Sequence, residues 1–195
     1  MARISAGVLK GRVLLMPKSL RPTEDKVRQA LFNIVGARIE GARVIDGFAG
    51  SGAIGMEALS RGAASVFFLE QDPGCLEALG DNATRLAAPG QVPGTWRVMP
   101  GNAFRSLKTL AGQEPPFDVI ILDPPYHSVA AKKALNTVAE YAMLAPAGLL
   151  CVEHARQSEL PPSAGSLMLA AQHRYGDTVL SCYAHGNTRC VSGNV

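Results

Sequence analysis

Four polar side chains stand at or just beyond the ends of apolar segments, where they could surround a ligand. Asp46 ends V-I-D, Glu70 ends S-V-F-F-L-E, and Asp123 ends F-D-V-I-I-L-D. Asn102 follows a fourth segment, T-W-R-V-M. Such segments are typical of buried parallel strands. Because ligands of open α/β sheets bind beyond the carboxyl ends of the strands, we expect these four side chains to line one crevice.

A glycine-rich turn links the first of these strands to a helix. The sequence V-I-D-G-F-A-G-S-G-A-I-G spans Val44–Gly55. Gly50 and Gly52 can take positive φ and leave room for a ligand against the backbone, while the following helix points unpaired N–H groups at the same place. The turn could also be purely structural. Glu70 follows Asp46 by 24 residues, and this favours a nucleotide site because an acid at about this spacing binds ribose in nucleotide-binding α/β units.

The tetrapeptide D-P-P-Y, which runs from Asp123 to Tyr126, follows the fourth strand. Two successive prolines fix φ and lack an N–H group, so the turn is stiff and its carbonyls can accept hydrogen bonds. Asp123 and a proline carbonyl could hold an amino group while the Tyr126 ring stacks on a planar base. The alternative is a rigid turn whose aspartate caps local backbone. Ser51, His127 and His154 could suggest a nucleophile and its base, but we expect these histidines to be structural.

Strand-like and helix-like segments alternate from Arg43 onward, which predicts an α/β fold with a doubly wound, Rossmann-like and mostly parallel sheet. The expected strands are 44–46, 65–70, 95–99, 117–123 and 148–153, and the expected helices are 52–61, 73–87, a short one after Ala103, and 129–144. Residues 117–123 are almost continuously apolar and are expected at the centre of the sheet. Segments 166–174 and 178–184 predict a final antiparallel pair and hence one antiparallel edge strand.

Positive charge is concentrated near the N-terminus. Residues 1–38 hold eight basic and two acidic residues, a net charge of +6, so the remainder carries −3 of the total of +3. We expect a basic β-hairpin around Lys10 and a helix that Thr23 caps and Gly36 ends. Lys26 and Arg28 lie off the apolar face of that helix and could reach solvent or phosphate. This asymmetry suggests a polyanionic partner, although a solvated helix and an arginine-rich loop would show the same pattern.

A chain of 195 residues is most simply one folded unit. We expect an N-terminal hairpin and helix over 1–38, an α/β core over 39–185 and a tail over 186–195. No apolar run is long enough to cross a bilayer, the first residues do not resemble a signal peptide, and the four cysteines form no C-x-x-C pair. These features predict a cytoplasmic protein without membrane association or bound metal, and by default a monomer.

Four motifs together resemble the RsmD family, class I S-adenosylmethionine-dependent methyltransferases that act on guanine N2 in bacterial small-subunit ribosomal RNA. They are R-I-S-A-G-V-L-K-G-R at 3–12, R-P-T-E-D-K-V-R-Q-A-L-F-N at 21–33, D-G-F-A-G-S-G-A-I-G-M-E-A-L-S-R-G-A at 46–63, and D-P-P-Y. The first two carry the most information, because many methyltransferases share the others. The chain departs from the pattern of this family in two places that concern substrate binding. The loop 88–94 has extra proline and glycine, and residues 129–133 give no obvious basic lid.

The resemblance implies a cofactor, a substrate and a role for each motif. S-adenosylmethionine would lie over the glycine-rich turn, with Glu70 on its ribose hydroxyls and Asn102 and Ala103 at its adenine; Asn102 could equally be a helix N-cap. The implied cofactor-binding residues are Asp46, Phe48, Ala49, Gly50, Ser51, Gly52, Glu70, Gln71, Asn102 and Ala103. The implied catalytic residues are Asp123, Pro124, Pro125 and Tyr126. The implied contacts to ribosomal RNA, within a small-subunit particle, are Arg3, Lys10, Arg12, Arg21, Lys26 and Arg28.

Three other functions share part of this pattern. A DNA adenine-N6 methyltransferase has the same turn and D-P-P-Y, but usually carries a target-recognition domain for which this chain has no room. A protein-glutamine methyltransferase would call for asparagine at position 123. A cofactor-binding RNA assembly factor without turnover also stays open.

Overall fold

One sheet of eight strands organises the chain in the computed structural model, which describes residues 2–17, 25–125 and 129–186. The strands are β1 Arg43–Gly47, β2 Ser65–Glu70, β3 Thr95–Pro100, β4 Phe117–Leu122, β5 Leu144–Ala155, β6 Ser163–Ala164, β7 Leu167–Tyr175 and β8 Thr178–His185. The helices are α1 Asp25–Val35, α2 Ala53–Ser60, α3 Pro73–Leu86, α4 Ala103–Gln113 and α5 Ala130–Glu140, with a 3-10 helix at Gly36–Ile39. The strand order is β3-β2-β1-β4-β5-β8-β7-β6, which confirms the predicted doubly wound α/β class.

The first five strands are parallel, and their register brings their carboxyl ends to one edge. Gly47 at the end of β1 is paired with Leu69 of β2 and Leu122 of β4. Glu70 at the end of β2 is paired with Pro100 of β3. β4 lies between β1 and β5, so the prediction that its apolar sequence marks a central strand is confirmed. This edge therefore carries the chain segments that follow β1 to β4 side by side.

The C-terminal strands confirm the predicted antiparallel pair. β8 runs antiparallel to both β5 and β7 and lies between them, so the antiparallel part of the sheet extends beyond the single strand that was predicted. The two-residue strand β6, which was not predicted, pairs beyond β7. The burial patterns explain the order, because β8 is almost continuously buried, whereas β7 mostly alternates between buried or half-buried and exposed positions.

Helices cover both faces of the sheet. Residues of α1, α2 and α3 form one hydrophobic cluster with β1 to β5 and β8, and residues of α4 and α5 form the other on the opposite face. Four residues of the N-terminal segment 2–17 belong to the first cluster: Ala2, Ile4, Leu9 and Leu14. The N-terminal segment is thus packed into the hydrophobic core of the α/β unit.

Some predicted boundaries shift. The helix expected over 129–144 ends at Glu140, because Ala142 takes a φ of 47° and β5 begins at Leu144. The N-terminal hairpin is a chain reversal with one bridge, between Arg3 and Val13, and has no continuous ladder. The predicted N-cap, Thr23, lies outside the described residues. None of the described helices has the length and apolar character needed to span a membrane.

Candidate active site

The glycine-rich loop between β1 and α2 is fixed to both neighbouring strands. The Asp123 N–H donates to the Gly47 carbonyl oxygen at 3.1 Å, which joins the D-P-P turn to the end of β1. The Ala49 N–H donates to the Leu69 carbonyl oxygen at 3.0 Å, which joins the loop to β2. The loop and the D-P-P turn therefore form one continuous rim at the carboxyl edge of the sheet.

Two glycines of the loop meet conformational requirements that other residues would not. Gly50 and Gly52 have φ of 56° and 81°, as the sequence predicted. A Cβ atom on Gly52 would also lie 2.3 Å from Leu79 Cδ1 and 3.3 Å from Phe68 Cε1. This second constraint comes from the packing of α2 against α3 and β2, so Gly52 is needed both for its φ and for its lack of a side chain.

Phe48 is the unexpected member of the loop. It has a φ of 65° although it is not glycine, a conformation that costs about 1–3 kcal/mol and is concentrated at functional sites. Its ring packs edge-on against Phe104 of α4, with 5.7 Å between centroids. Nothing in the sequence indicates this strain, because positive φ is expected at Gly50 and Gly52.

Glu70 organises the loop from the end of β2. Its Oε2 accepts a hydrogen bond from the Gly50 N–H at 2.7 Å, and its Oε1 accepts from the N–H groups of Gln71 and Asp72, each at 2.7 Å. The residue is 8 % exposed. A carboxylate has about four acceptor positions, so these three bonds leave capacity for a hydroxyl donor.

Asp46 lies beneath the loop. It is 1 % exposed, and its Oδ2 accepts a hydrogen bond from the Gly55 N–H at 2.8 Å. Burial raises the pKa of Asp46 to about 8; the Gly55 hydrogen bond opposes this rise, and repulsion from Asp123 and Glu70 adds to it. The mutual repulsion follows from geometry, because the structure brings the carboxyl groups of β1, β2 and β4 together at one edge.

Asn102 lies beside this group, since the Gly101 N–H donates to the Glu70 carbonyl oxygen at 2.7 Å. Its side-chain oxygen accepts from the N–H groups of Phe104 and Arg105 at 3.1 and 3.4 Å. The N-cap interpretation is therefore confirmed. Ala103 follows as the first residue of α4 and is buried.

The D-P-P turn presents its residues differently. Asp123 is half-buried, Pro124 is buried and Pro125 is exposed. Tyr126, which was expected to stack on the base, and His127, one of the possible alternative bases, lie outside the described residues. The acceptor groups expected to hold an amine thus stand where the chain leaves the sheet.

Of the residues considered as an alternative nucleophile or base, Ser51 and His154 are described, and each has other hydrogen-bond partners. The Ser51 hydroxyl donates to Met16 Sδ at 2.8 Å. His154 belongs to β5, and its ring nitrogens lie 3.0 Å from the Ala155 carbonyl oxygen and 2.8 Å from Ser181 Oγ of β8. Burial lowers the pKa of His154. His154 therefore has a structural role, as the sequence predicted.

The basic residues of the N-terminal region separate into two groups. Arg3, Lys10, Arg12 and Lys26 are exposed. Arg28 is 1 % exposed and donates to the Arg3 carbonyl oxygen at 2.6 Å, so the prediction that it reaches solvent or phosphate is wrong. The N-terminal segment covers this position of α1, which the helical pattern assigned to solvent. Arg21 lies outside the described residues.

The polar residues that hold the N-terminal segment were not predicted from the sequence. Glu57 of α2 is fully buried; it accepts from the Ser5 N–H at 2.7 Å, the Ser5 hydroxyl at 2.6 Å and the Ala6 N–H at 3.0 Å. Arg61 lies against the same carboxylate at 2.8 Å. Glu57 stands among the small and apolar residues of G-M-E-A-L, and this pattern could have indicated its role, since a buried carboxylate requires hydrogen-bond partners.

Comparisons with known proteins agree with this geometry. The family model described as "Conserved hypothetical protein 95" matches residues 2–184. The ribosomal RNA small subunit methyltransferase D of Haemophilus influenzae is 39 % identical over 160 residues, covering 81 % of this chain and 81 % of that protein. Its Escherichia coli counterpart is 37 % identical over 161 residues, covering 82 % and 77 %.

Solved structures show the same fold. A hypothetical protein of Thermus thermophilus superposes with a TM-score of 0.80 at 27 % identity, covering 95 % of this chain and 99 % of its own. The match to the family model over almost the whole chain, together with the motifs that carry the resemblance, shows that the chain belongs to the "Conserved hypothetical protein 95" family, the RsmD family.

Proposed function

We propose that this protein transfers a methyl group from S-adenosylmethionine to the exocyclic N2 amine of a guanine in small-subunit ribosomal RNA. The names of the relatives support a methyltransferase acting on this RNA. The observation that carries the proposal is the hydrogen bond from Asp123 to Gly47, because it joins an amine-binding turn to a glycine-rich loop along one rim. Ribosomal RNA as substrate implies a cytoplasmic enzyme, which would act on a small-subunit particle as a monomer.

The residues at the rim fit the cofactor. Gly50 has no side chain, so a ligand can approach the loop backbone closely at this residue. Glu70 keeps acceptor capacity for a ribose hydroxyl, and hydrogen bonds to a charged carboxylate are stronger than neutral ones. Asn102 and Ala103 begin the helix on the far side of Glu70, where they would meet the adenine. When bound, S-adenosylmethionine supplies an electrophilic methyl group on a sulfonium centre.

Asp123 and the Pro124 carbonyl would orient the acceptor. Guanine N2 is a poor nucleophile, since its lone pair is delocalised into the ring. If its two protons are donated to the Asp123 carboxylate and the Pro124 carbonyl, the nitrogen becomes pyramidal and its lone pair points at the methyl group. Orientation of this kind can contribute roughly 7–11 kcal/mol in favourable cases. No strong base is needed before attack, and Asp123 would accept the proton that the methylated nitrogen releases or pass it to water.

The base must leave its helix to reach the rim. Unstacking costs a few kcal/mol, which stacking on an aromatic ring such as Tyr126 partly offsets. The exposed basic residues of the N-terminal region, which are Arg3, Lys10, Arg12 and Lys26, would contact phosphates. Such contacts position RNA without reading its bases, and they weaken steeply as salt concentration rises.

Methyl transfer to small subunits tests the proposal. Purified protein, tritiated S-adenosylmethionine and small subunits from cells that lack this enzyme should give label in the RNA, and mass spectrometry of its nucleosides should identify N2-methylguanine. Label at adenine N6 of DNA, or no label while the cofactor binds, would contradict it.

Substitution of the proposed amine-binding residue separates turnover from binding. Asp123→Ala should lower transfer at least about 100-fold, because it removes one of two orienting acceptors. S-adenosylhomocysteine should still bind, as measured by calorimetry. Asp177→Ala in the exposed turn between β7 and β8 is the matched control and should transfer normally. Unchanged transfer by Asp123→Ala would remove Asp123 from the mechanism.

A further inference from the structure

The first turn of α5 presents an unusual distribution of charge. Lys132 and Lys133 lie in it and are exposed, and neither α5 nor its neighbour α4 has an acidic residue in its first turn. Arg105 occupies the corresponding turn of α4 and is also exposed. A helix N-terminus is already electropositive, so basic residues there are unfavourable for the helix alone. This arrangement indicates a surface shaped for an anion rather than for helix stability.

No ion pair found among the described residues involves Lys132, Lys133 or Arg105. The ion pairs found there join Arg43 to Glu114 and Arg61 to Glu57. Lys133 instead lies over an aromatic ring, with its Nζ 4.4 Å from the centroid of Phe104. Its charge is therefore held in a defined place but is not neutralised.

The same contact connects Lys133 to the active site. Phe104 packs edge-on against Phe48, and Phe48 follows Gly47, whose carbonyl accepts from the Asp123 N–H. A continuous series of contacts thus runs from the proposed amine-binding turn to the basic end of α5. Anything bound by Lys133 would lie next to the rim.

An open depression beside these lysines has room for part of a nucleic acid. Its volume is about 350 Å³, and it is lined by Val129, Lys132, Lys133, Asn136, Thr137 and Glu140. Val129 is 84 % exposed, so an apolar side chain is available to a base or ribose face beside the two ammonium groups. Glu140 lies at the opposite end of α5 and disfavours a polyanion there, so the anion belongs at the end with the lysines.

We propose that Val129, Lys132, Lys133 and Asn136, together called the α5 surface, bind the backbone of the substrate RNA beside the target guanine. This inference rests on the proposed function. The N-terminal segment packs on one face of the sheet with α1, α2 and α3, whereas α5 packs on the other. RNA that crosses the carboxyl edge would be held from both faces, and the α5 surface supplies the basic contact that the sequence of 129–133 did not make evident.

The salt dependence of RNA binding tests the α5 surface. Small-subunit ribosomal RNA transcribed in vitro is titrated with Lys132→Gln at several salt concentrations. The logarithm of the affinity falls linearly with the logarithm of the salt concentration, and each lost phosphate contact makes this slope shallower by about 0.7–0.9. We expect that reduction, with an affinity about 3- to 10-fold lower at low salt, and a larger loss for Lys132→Glu.

Arg97→Gln is the matched control, because Arg97 is an exposed cation on the edge strand β3. It should keep the wild-type slope. A wild-type slope in both Lys132 variants, or an equal reduction in Arg97→Gln, would overturn the α5 surface. Binding is measured without turnover, so an active enzyme with unchanged slopes contradicts only this surface. Altered slopes in an enzyme that transfers no methyl group contradict only the proposed reaction.

Discussion

Asn82 of α3 pairs with the backbone of Leu15 through both ends of its side-chain amide. Its Oδ1 accepts from the Leu15 N–H at 2.8 Å, and its Nδ2 donates to the Leu15 carbonyl oxygen at 3.0 Å. The same Nδ2 donates to the carbonyl oxygen of Ser51 at 3.0 Å. Asn82 is fully buried, so one side chain fixes the end of the N-terminal segment to the glycine-rich loop.

Replacing Asn82 should therefore weaken two parts of the molecule together. Asn82→Ala leaves one N–H and two carbonyl groups without their partner, and we expect a loss of about 2–4 kcal/mol in the free energy of unfolding in urea. S-adenosylhomocysteine should also bind more weakly, because Ser51 loses its anchor. Asn33→Ala, at an exposed position of α1, should change neither quantity. A loss below about 1 kcal/mol for Asn82→Ala would contradict this role.

Glu57 should control the attachment of the N-terminal segment. Glu57→Gln keeps the shape of the side chain but turns one acceptor oxygen into a donor that faces the donor groups of Ser5 and Ala6. Hydrogen bonds to a charged group contribute about 1.5–3 kcal/mol, so amide exchange at these two residues should accelerate about 10- to 100-fold. Hydrogen exchange measures this, with Glu77→Gln on the exposed side of α3 as the control. Exchange at the wild-type rate would show that Glu57 does not hold the segment.

Glu70 should govern cofactor affinity through the shape of the loop. In Glu70→Gln, at least one of the three backbone N–H donors meets an amino group in place of an oxygen, and the negative charge opposite the proposed ribose site is lost. We expect the affinity for S-adenosylhomocysteine to fall about 10- to 100-fold by calorimetry. Glu40→Gln, an exposed site before β1, should bind normally. Normal binding by Glu70→Gln would show that the carboxylate serves the loop alone.

Asp46 should make stability depend on pH in the direction opposite to most carboxylates. Its pKa is raised from 3.8 to about 8 in the folded protein, so between these values the folded state holds more protons than the unfolded state. Stability from this group is therefore lost as pH rises from about 4 to about 8.

Asp46→Asn tests this dependence, because the amide oxygen can still accept from Gly55. Its melting temperature relative to wild type should increase steadily from pH 5 to pH 8, as measured by thermal unfolding. Asp177→Asn in the exposed turn should show no such trend. A difference between Asp46→Asn and wild type that does not change with pH would mean that Asp46 is ionised in the folded protein throughout this range.

Local sequence determined much of the sheet. The apolar run ending at Asp123 specified a central strand, because a strand covered by helices on both faces must be apolar throughout. Gly50 and Gly52 specified positive φ by lacking Cβ. These features depend on neighbours within one element, and a single sequence carries such information.

Only the tertiary structure decided which groups are exposed and which are held. Arg28 has the helical position of a solvent-facing residue, yet the N-terminal segment covers it. Glu57 and Asn82 have no distinctive local pattern, yet they join segments 51 to 67 residues apart in the sequence. Burial and hydrogen-bond partners of this kind arise from packing between distant elements. The contacts from Lys133 through Phe104 to Phe48, which bring the charged first turn of α5 to the candidate active site, arise in the same way.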